Sequence, residues 1–330
     1  MKNLYLCIFL LVLIITAGVN GQYFQSEPLT HTYSIVARDS ETGDLGVAVQ
    51  SHWFSVGSIV SWAEAGVGAI ATQSLVNVSF GPRGLELLKA GKTAQEALSF
   101  LLAEDEGREF RQVAIIDIQG NVAVHTGKKC IADAGDHKGE NFSVQANMML
   151  NKDVWPAMAE AFEAASGPLA ERMYTALQAG EAAGGDIRGQ QSAAILVVRG
   201  KPTGKIWEDR MIDIRVEDHP EAVREIGRVL RLYRAYEHMN AGDLAIEHGD
   251  EQKALAEYGA AQDMFPDNLE MQYWQAVSLV NIGNLNAALP VFKGVFNRDK
   301  NWIELTKRIV LNGMLNADEE TLNKIINITE

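Results

Sequence analysis

The chain has 330 residues, 47% of them hydrophobic, with a formal net charge of -14. That length suffices for two domains with their own cores, and the negative field argues against nucleic acid or anionic membrane as the main partner. Only Cys7 and Cys130 occur, and the first lies in an apolar leader, so a processed chain has no internal disulfide and must be stabilised by packing.

Met1 to Gly21 carries Lys2, an apolar stretch from Leu4 to Gly18 in which Thr16 is the one polar residue, and small residues before Gln22. This pattern reads as a secretory signal, shorter than the roughly 20 residues that span a bilayer. The expectation is a secreted or periplasmic protein beginning near Gln22, with a leader-like segment over 22–31 and no membrane attachment after cleavage.

Alternating apolar runs, Tyr33 to Ala37 and Leu45 to Val49, flank the turn-rich D-S-E-T-G-D and predict a β-hairpin with Thr32 at its entry. Further strands are expected at Val67 to Thr72, Arg111 to Ile116, Asn121 to His125, Phe142 to Ala146, Ser192 to Val198 and Met211 to Val216. Two helical stretches interrupt them. The first is Gly84 to Leu102, broken at Gly91, where Thr93 and Glu96 form a capping box; the second lies between Asp153 and Ala183. Strands, helices and strands again predict an α+β layered plan for residues 32–218.

After His219 the strand signal ends and a repeat takes over. Gly249-Asp250 recurs as Gly283-Asn284, Ala254-Leu255 as Ala288-Leu289 and Tyr258 as Phe292, each 34 positions on. That period, with a turn at Pro266-Asp267 and Trp274 on the intervening helix, predicts an all-α domain of tetratricopeptide type over 219–330.

The motifs T-Y-S-I-V-A-R-D, G-V-G-A-I-A-T-Q, G-P-R-G-L-E-L-L, H-T-G, S-V-Q-A-N and G-G-D-I-R-G-Q-Q-S-A-A together resemble domain-of-unknown-function family 1028, from Thr32 to Val216. The resemblance implies an N-terminal-nucleophile hydrolase architecture, a four-layer αββα sandwich of two sheets between helices. It also implies a C-terminal extension of the kind labelled peptidoglycan-binding, although the aromatics here fall at helix-packing positions.

By that resemblance Thr32 is the nucleophile, its own α-amine acting as base once freed. Ten residues, Gln22 to His31, stand in front of it, so the nucleophile is masked until a second cut at His31-Thr32, which its own hydroxyl could make. The proteasome-type branch of that superfamily places an acidic residue at the end of the second strand and a lysine further on. Here the first position is Gln50 and no lysine occurs between Lys2 and Lys89, leaving His52, Arg38 or Asp39 to supply polarity.

Stabilising a developing oxyanion needs aimed donors, for which Asn147, Gln73, Asn77 and the backbone around Gly66 and Gly68 are candidates. Asp186, Arg188 and Gln191, in a glycine-rich loop, are candidate binding groups that could equally pair with one another. His31, His52, His125 and His137 show no metal-ligand spacing, so neither metal nor cofactor is expected. Two functions stay open: a secreted hydrolase of an amide-type bond with a helical docking domain, or a non-catalytic binding or scaffold protein on the same fold. The first implies a small-molecule or peptide substrate. Either allows a protein or cell-wall partner through the helical repeats, and self-association.

Overall fold

The structure, a computed structural model, describes residues 29–328. The signal segment 1–21 and positions 22–28 of the leader lie outside the described residues. The chain divides into two compact units, the first ending at Ile226 and the second beginning at Gly227. Among the described residues no helix is long and apolar enough to cross a membrane.

Among the described residues the first unit holds eleven strands: β1 (Leu29–Thr30), β2 (Thr32–Arg38), β3 (Leu45–Ser51), β4 (Ser61–Glu64), β5 (Gly68–Leu75), β6 (Arg111–Asp117), β7 (Val122–Thr126), β8 (Gly135–Gly139), β9 (Phe142–Ala146), β10 (Ser192–Val198) and β11 (Arg210–Val216). They form two antiparallel sheets. One runs β1-β5-β6-β7, with β4 sharing with β1 the edge of β5 that β6 leaves open; the other runs β11-β10-β3-β2-β9-β8.

The hairpin turns where the Asp39 carboxylate accepts the Glu41 and Thr42 amides and Gly43 takes a φ of +79°, which sets Thr32 opposite Ser51 and Arg38 opposite Leu45. Three strands were not expected from the sequence, the first being β1, which lies in the leader-like segment. Ser61–Glu64 and Gly135–Gly139 have no fully buried side chain, so they lack the alternation that marks a half-buried strand.

Alternate side chains of each strand point to opposite faces. Val36, Val47 and Val49 of one sheet and Ala69, Ala71, Ala114 and Ile116 of the other share one buried apolar cluster, so these faces meet. A second cluster joins Ile70, Val113 and Ile115 to α1 (Phe80–Lys89) and α2 (Ala94–Ala103), on the other face of the first sheet. The Thr93–Glu96 capping box starts α2. On the far face of the second sheet lie α3 (Val154–Ala164) and α4 (Leu169–Ala182), where Met173 closes over Gly46. A short α5 (Ile206–Asp209) precedes β11.

After α6 (Ala222–Glu247) the second unit is helical: α7 (Glu251–Met264), α8 (Leu269–Asn281), α9 (Leu285–Arg298), α10 (Asn301–Leu311) and α11 (Glu319–Ile326). The repeated positions hold equivalent places. Gly249 and Gly283 both have positive φ just before a helix, Ala254 and Ala288 are fully buried, and Tyr258 and Phe292 are core aromatics.

Candidate functional site

Thr32 sits where the chain passes from one sheet to the other. Thr30 pairs with Ser74 in the first sheet and Thr32 with Ser51 in the second, leaving His31 alone as the crossing. All three residues are buried. Thr32 lies on the same face of β2 as Ser34, whose hydroxyl meets Gln73 of β5 at 2.6 Å, so it faces the other sheet.

The groups around the His31-Thr32 peptide are donors. Ser51 Oγ donates to the His31 carbonyl at 2.6 Å and Arg188 Nη2 donates to the same oxygen at 2.9 Å. The Thr32 carbonyl accepts from the Asn147 backbone at 3.1 Å and from Gln73 Nε2 at 3.2 Å. Thr32 Oγ1 itself donates to Thr30 O at 3.0 Å.

Arg188 is held in place by Asp186. The carboxylate accepts from Arg188 Nε at 3.0 Å, Nη2 at 2.7 Å and backbone N at 2.9 Å, and from the His52 amide at 3.3 Å. The two readings of the G-G-D-I-R-G loop therefore combine: Asp186 and Arg188 pair with one another, and the pair aims a guanidinium at the chain crossing.

Behind this lies a buried neutral network. Gln73 Nε2 donates to Gln112 Oε1 at 2.7 Å, Asn147 Nδ2 donates to the same oxygen at 2.9 Å, and Gln145 Nε2 donates to Ser34 Oγ at 2.6 Å. Asn147 Oδ1 meets His31 Nδ1 at 2.7 Å. Burial is the main reason the His31 imidazole ionises below its usual range; the Asn147 bond works against that shift and the nearby guanidinium adds to it. The imidazole is consequently neutral at pH 7.

Thus Thr32, Gln73, Asn147, Asp186 and Arg188 meet, while other sequence candidates lie apart. Gln50 faces away from Thr32, on the side of Tyr33, and neither polar atom of its buried side chain has a protein partner. Asn77 orders the turn into α1, accepting the Ser79 amide and hydroxyl. Gln191 binds Asp218 at 3.1 Å, and the exposed His52 reaches the site through its backbone alone.

Arg38 ends β2 and Asp39 follows it, about 20 Å from Thr32 at the rise of an extended strand, so neither polarises it. Gly66 and Gly68 are likewise at the remote end of β5. The sequence reading missed Ser51, Gln112 and Gln145 and the part played by His31. A polar residue at an inward position of an otherwise apolar strand, as in R-Q-V-A-I-I-D, was the available signal. Among the described residues no cluster of three or more His, Cys, Asp or Glu could hold a metal ion.

Residues 32–226 match the family of unknown function DUF1028. The chain belongs to that family. A solved DUF1028 structure, protein SPO2555 from Silicibacter pomeroyi, is 30% identical, with a TM-score of 0.55 over 61% of this chain and 85% of that one. Anbu (ancestral beta-subunit) from Yersinia bercovieri is 14% identical, covering 59% of this chain and 91% of that one, with a TM-score of 0.30, too low a superposition to bear on the fold. No curated protein matches this DUF1028 chain.

Proposed function

We propose that this protein is an exported amide-bond hydrolase of the N-terminal-nucleophile type, with its two sheets and flanking helices forming the four-layer sandwich of that class. It is latent until the His31-Thr32 bond is cut. The observation that carries this reading is the His31 carbonyl oxygen, which accepts from both Ser51 Oγ and Arg188 Nη2 beside the Thr32 hydroxyl. Donors so placed stabilise charge on that oxygen when a nucleophile adds to its carbon.

In the processing step Thr32 Oγ1 adds to the His31 carbonyl carbon and gives up its proton. The tetrahedral oxyanion is held by Ser51 and Arg188. Collapse breaks the C-N bond, the proton goes to the departing Thr32 nitrogen, and an ester remains. Water then hydrolyses the ester, releasing the leader acid and leaving Thr32 with a free α-amine. In later turnovers that amine takes the hydroxyl proton, and the same two donors serve the substrate carbonyl. Departure of β1 uncovers the edge of β5 at Ser74 and Leu75 for the substrate.

The alternative, a non-catalytic scaffold, draws on a different observation: the side chains meeting Gln73 are neutral amides and hydroxyls, with a charged pair nearby at Asp186 and Arg188. N-terminal sequencing of the secreted protein separates the two. A start at Thr32, abolished by Thr32→Ala and slowed by Ser51→Ala by roughly 10²–10³-fold, is the expected result; a start near Gln22 in active wild-type protein rejects the hydrolase. The helical unit is then read as a tetratricopeptide-like docking module in either case.

A further inference from the structure

The second unit contains a cavity of about 380 Å³ lined by residues of α6, α7 and α8 together with Met314. Its polar groups are unevenly matched. Asp243 accepts a 2.7 Å hydrogen bond from the hydroxyl of Tyr258, and Glu270 one of the same length from Tyr236. Neither carboxylate has a cationic partner among the described residues. Ser278, on the same wall, is wholly buried, and its hydroxyl has no protein partner. Trp274 and Val277 supply aromatic and apolar lining.

We infer that this cavity is a binding site for a basic side chain of a peptide, a guanidinium or alkylammonium on an apolar stem. Each carboxylate is steered by a tyrosine hydroxyl yet retains acceptor capacity for a charge-assisted bond, the strong kind. Trp274 and Val277 line the cavity with the aromatic and apolar surface that a cation on an apolar stem needs. The Ser278 hydroxyl gains the acceptor role it lacks within the protein. A neutral apolar ligand would cover both acids without supplying a counter-charge, which disfavours it. The chain's charge of -14 draws cations toward the molecule in general; the cavity adds selection for a shaped one. This site does not depend on Thr32 or on processing, so it stands or falls apart from the hydrolase reading.

The experiment is calorimetric titration of the full secreted chain with an end-capped Leu-Arg-Leu peptide, its lysine counterpart, its citrulline isostere and spermidine. The arginine peptide is expected to bind, with the citrulline isostere weaker by about tenfold or more, the loss of a charged hydrogen-bond pair. The double variant Asp243→Asn, Glu270→Gln keeps shape and should weaken the arginine peptide by about the same factor, whereas the distant Glu304→Gln should not. Ser278→Ala removes a group with no internal partner; it should weaken binding several-fold without lowering the melting temperature. Equal affinity for arginine and citrulline peptides, or unchanged binding in the double variant, overturns the assignment. Stronger binding of spermidine than of either basic peptide overturns the peptide as occupant.

Discussion

Replacing Asp186 by Asn probes the loop that aims Arg188. The side chain is fully buried and takes three hydrogen bonds from Arg188 and one from the His52 amide, while Arg188 keeps a quarter of its side chain in solvent. Breaking a fully buried ion pair costs about 3–5 kcal/mol, and partial exposure of the guanidinium reduces this, to about 2–3 kcal/mol. The amide also turns a donor toward donors that formerly met oxygen. For a unit of this size each kcal/mol moves the midpoint by about 2–4 °C, so thermal unfolding of Asp186→Asn should shift down by about 4–12 °C. Hydrogen exchange should speed at the His52 and Arg188 amides. Arg188→Gln, measured alongside, leaves the wholly buried Asp186 carboxylate without its counter-charge and should cost at least as much, and the two changes together should fall short of their sum. A midpoint within about 2 °C of wild type, or strict additivity, would refute the claim that Asp186 holds the guanidinium.

Three further outcomes follow from the same physical accounting. At Gly46 a Cβ would lie 2.5 Å from Met173 Cε and 3.0 Å from Leu196 O, so Gly46→Ala should cost about 1–3 kcal/mol in urea unfolding, and a neutral result would mean α4 moves freely off the sheet. Phe292→Ala empties a fully buried ring site between α8 and α9; a loss of about 3–5 kcal/mol is expected in the unfolding of the helical unit. The pH response of β1 follows from His31. Burial lowers its folded pKa below the unfolded value, so the undocked form binds more protons, and docking is strongest above about pH 6.5 and weakens as pH falls. Protection factors of the Thr30 and Thr32 amides should drop from about pH 7.5 to about pH 5.5, and the same drop in His31→Gln would remove histidine as its cause.

The sheets' central strands were legible because their side chains alternate between two covered faces; Tyr33 to Ala37 and Leu45 to Val49 declare that pattern outright. The edge strands β4 and β8 bury little and left no trace. Of the site, Thr32, Gln73 and Asn147 stood out as polar residues at strand ends, and the paired Asp186 and Arg188 as charges among glycines. What no linear pattern contained was the destination of the guanidinium, because its acceptor is the main-chain oxygen of His31, 157 positions away, and a carbonyl carries no mark in a sequence. Ser51 was hidden for the same reason. Gln50 misled because its neighbour, one residue on, faces Thr32 while it faces the helices.

The crossing at His31 has a mechanical consequence. A break in the chain there divides no ladder: the seven-residue strand behind it keeps β3 and β9 on either side, and the other sheet forfeits only a two-residue margin. The same break a few residues later would split an interior strand and strip two neighbours of their partner. Covalent continuity is thus dispensable at this junction, where the molecule can be opened without coming apart.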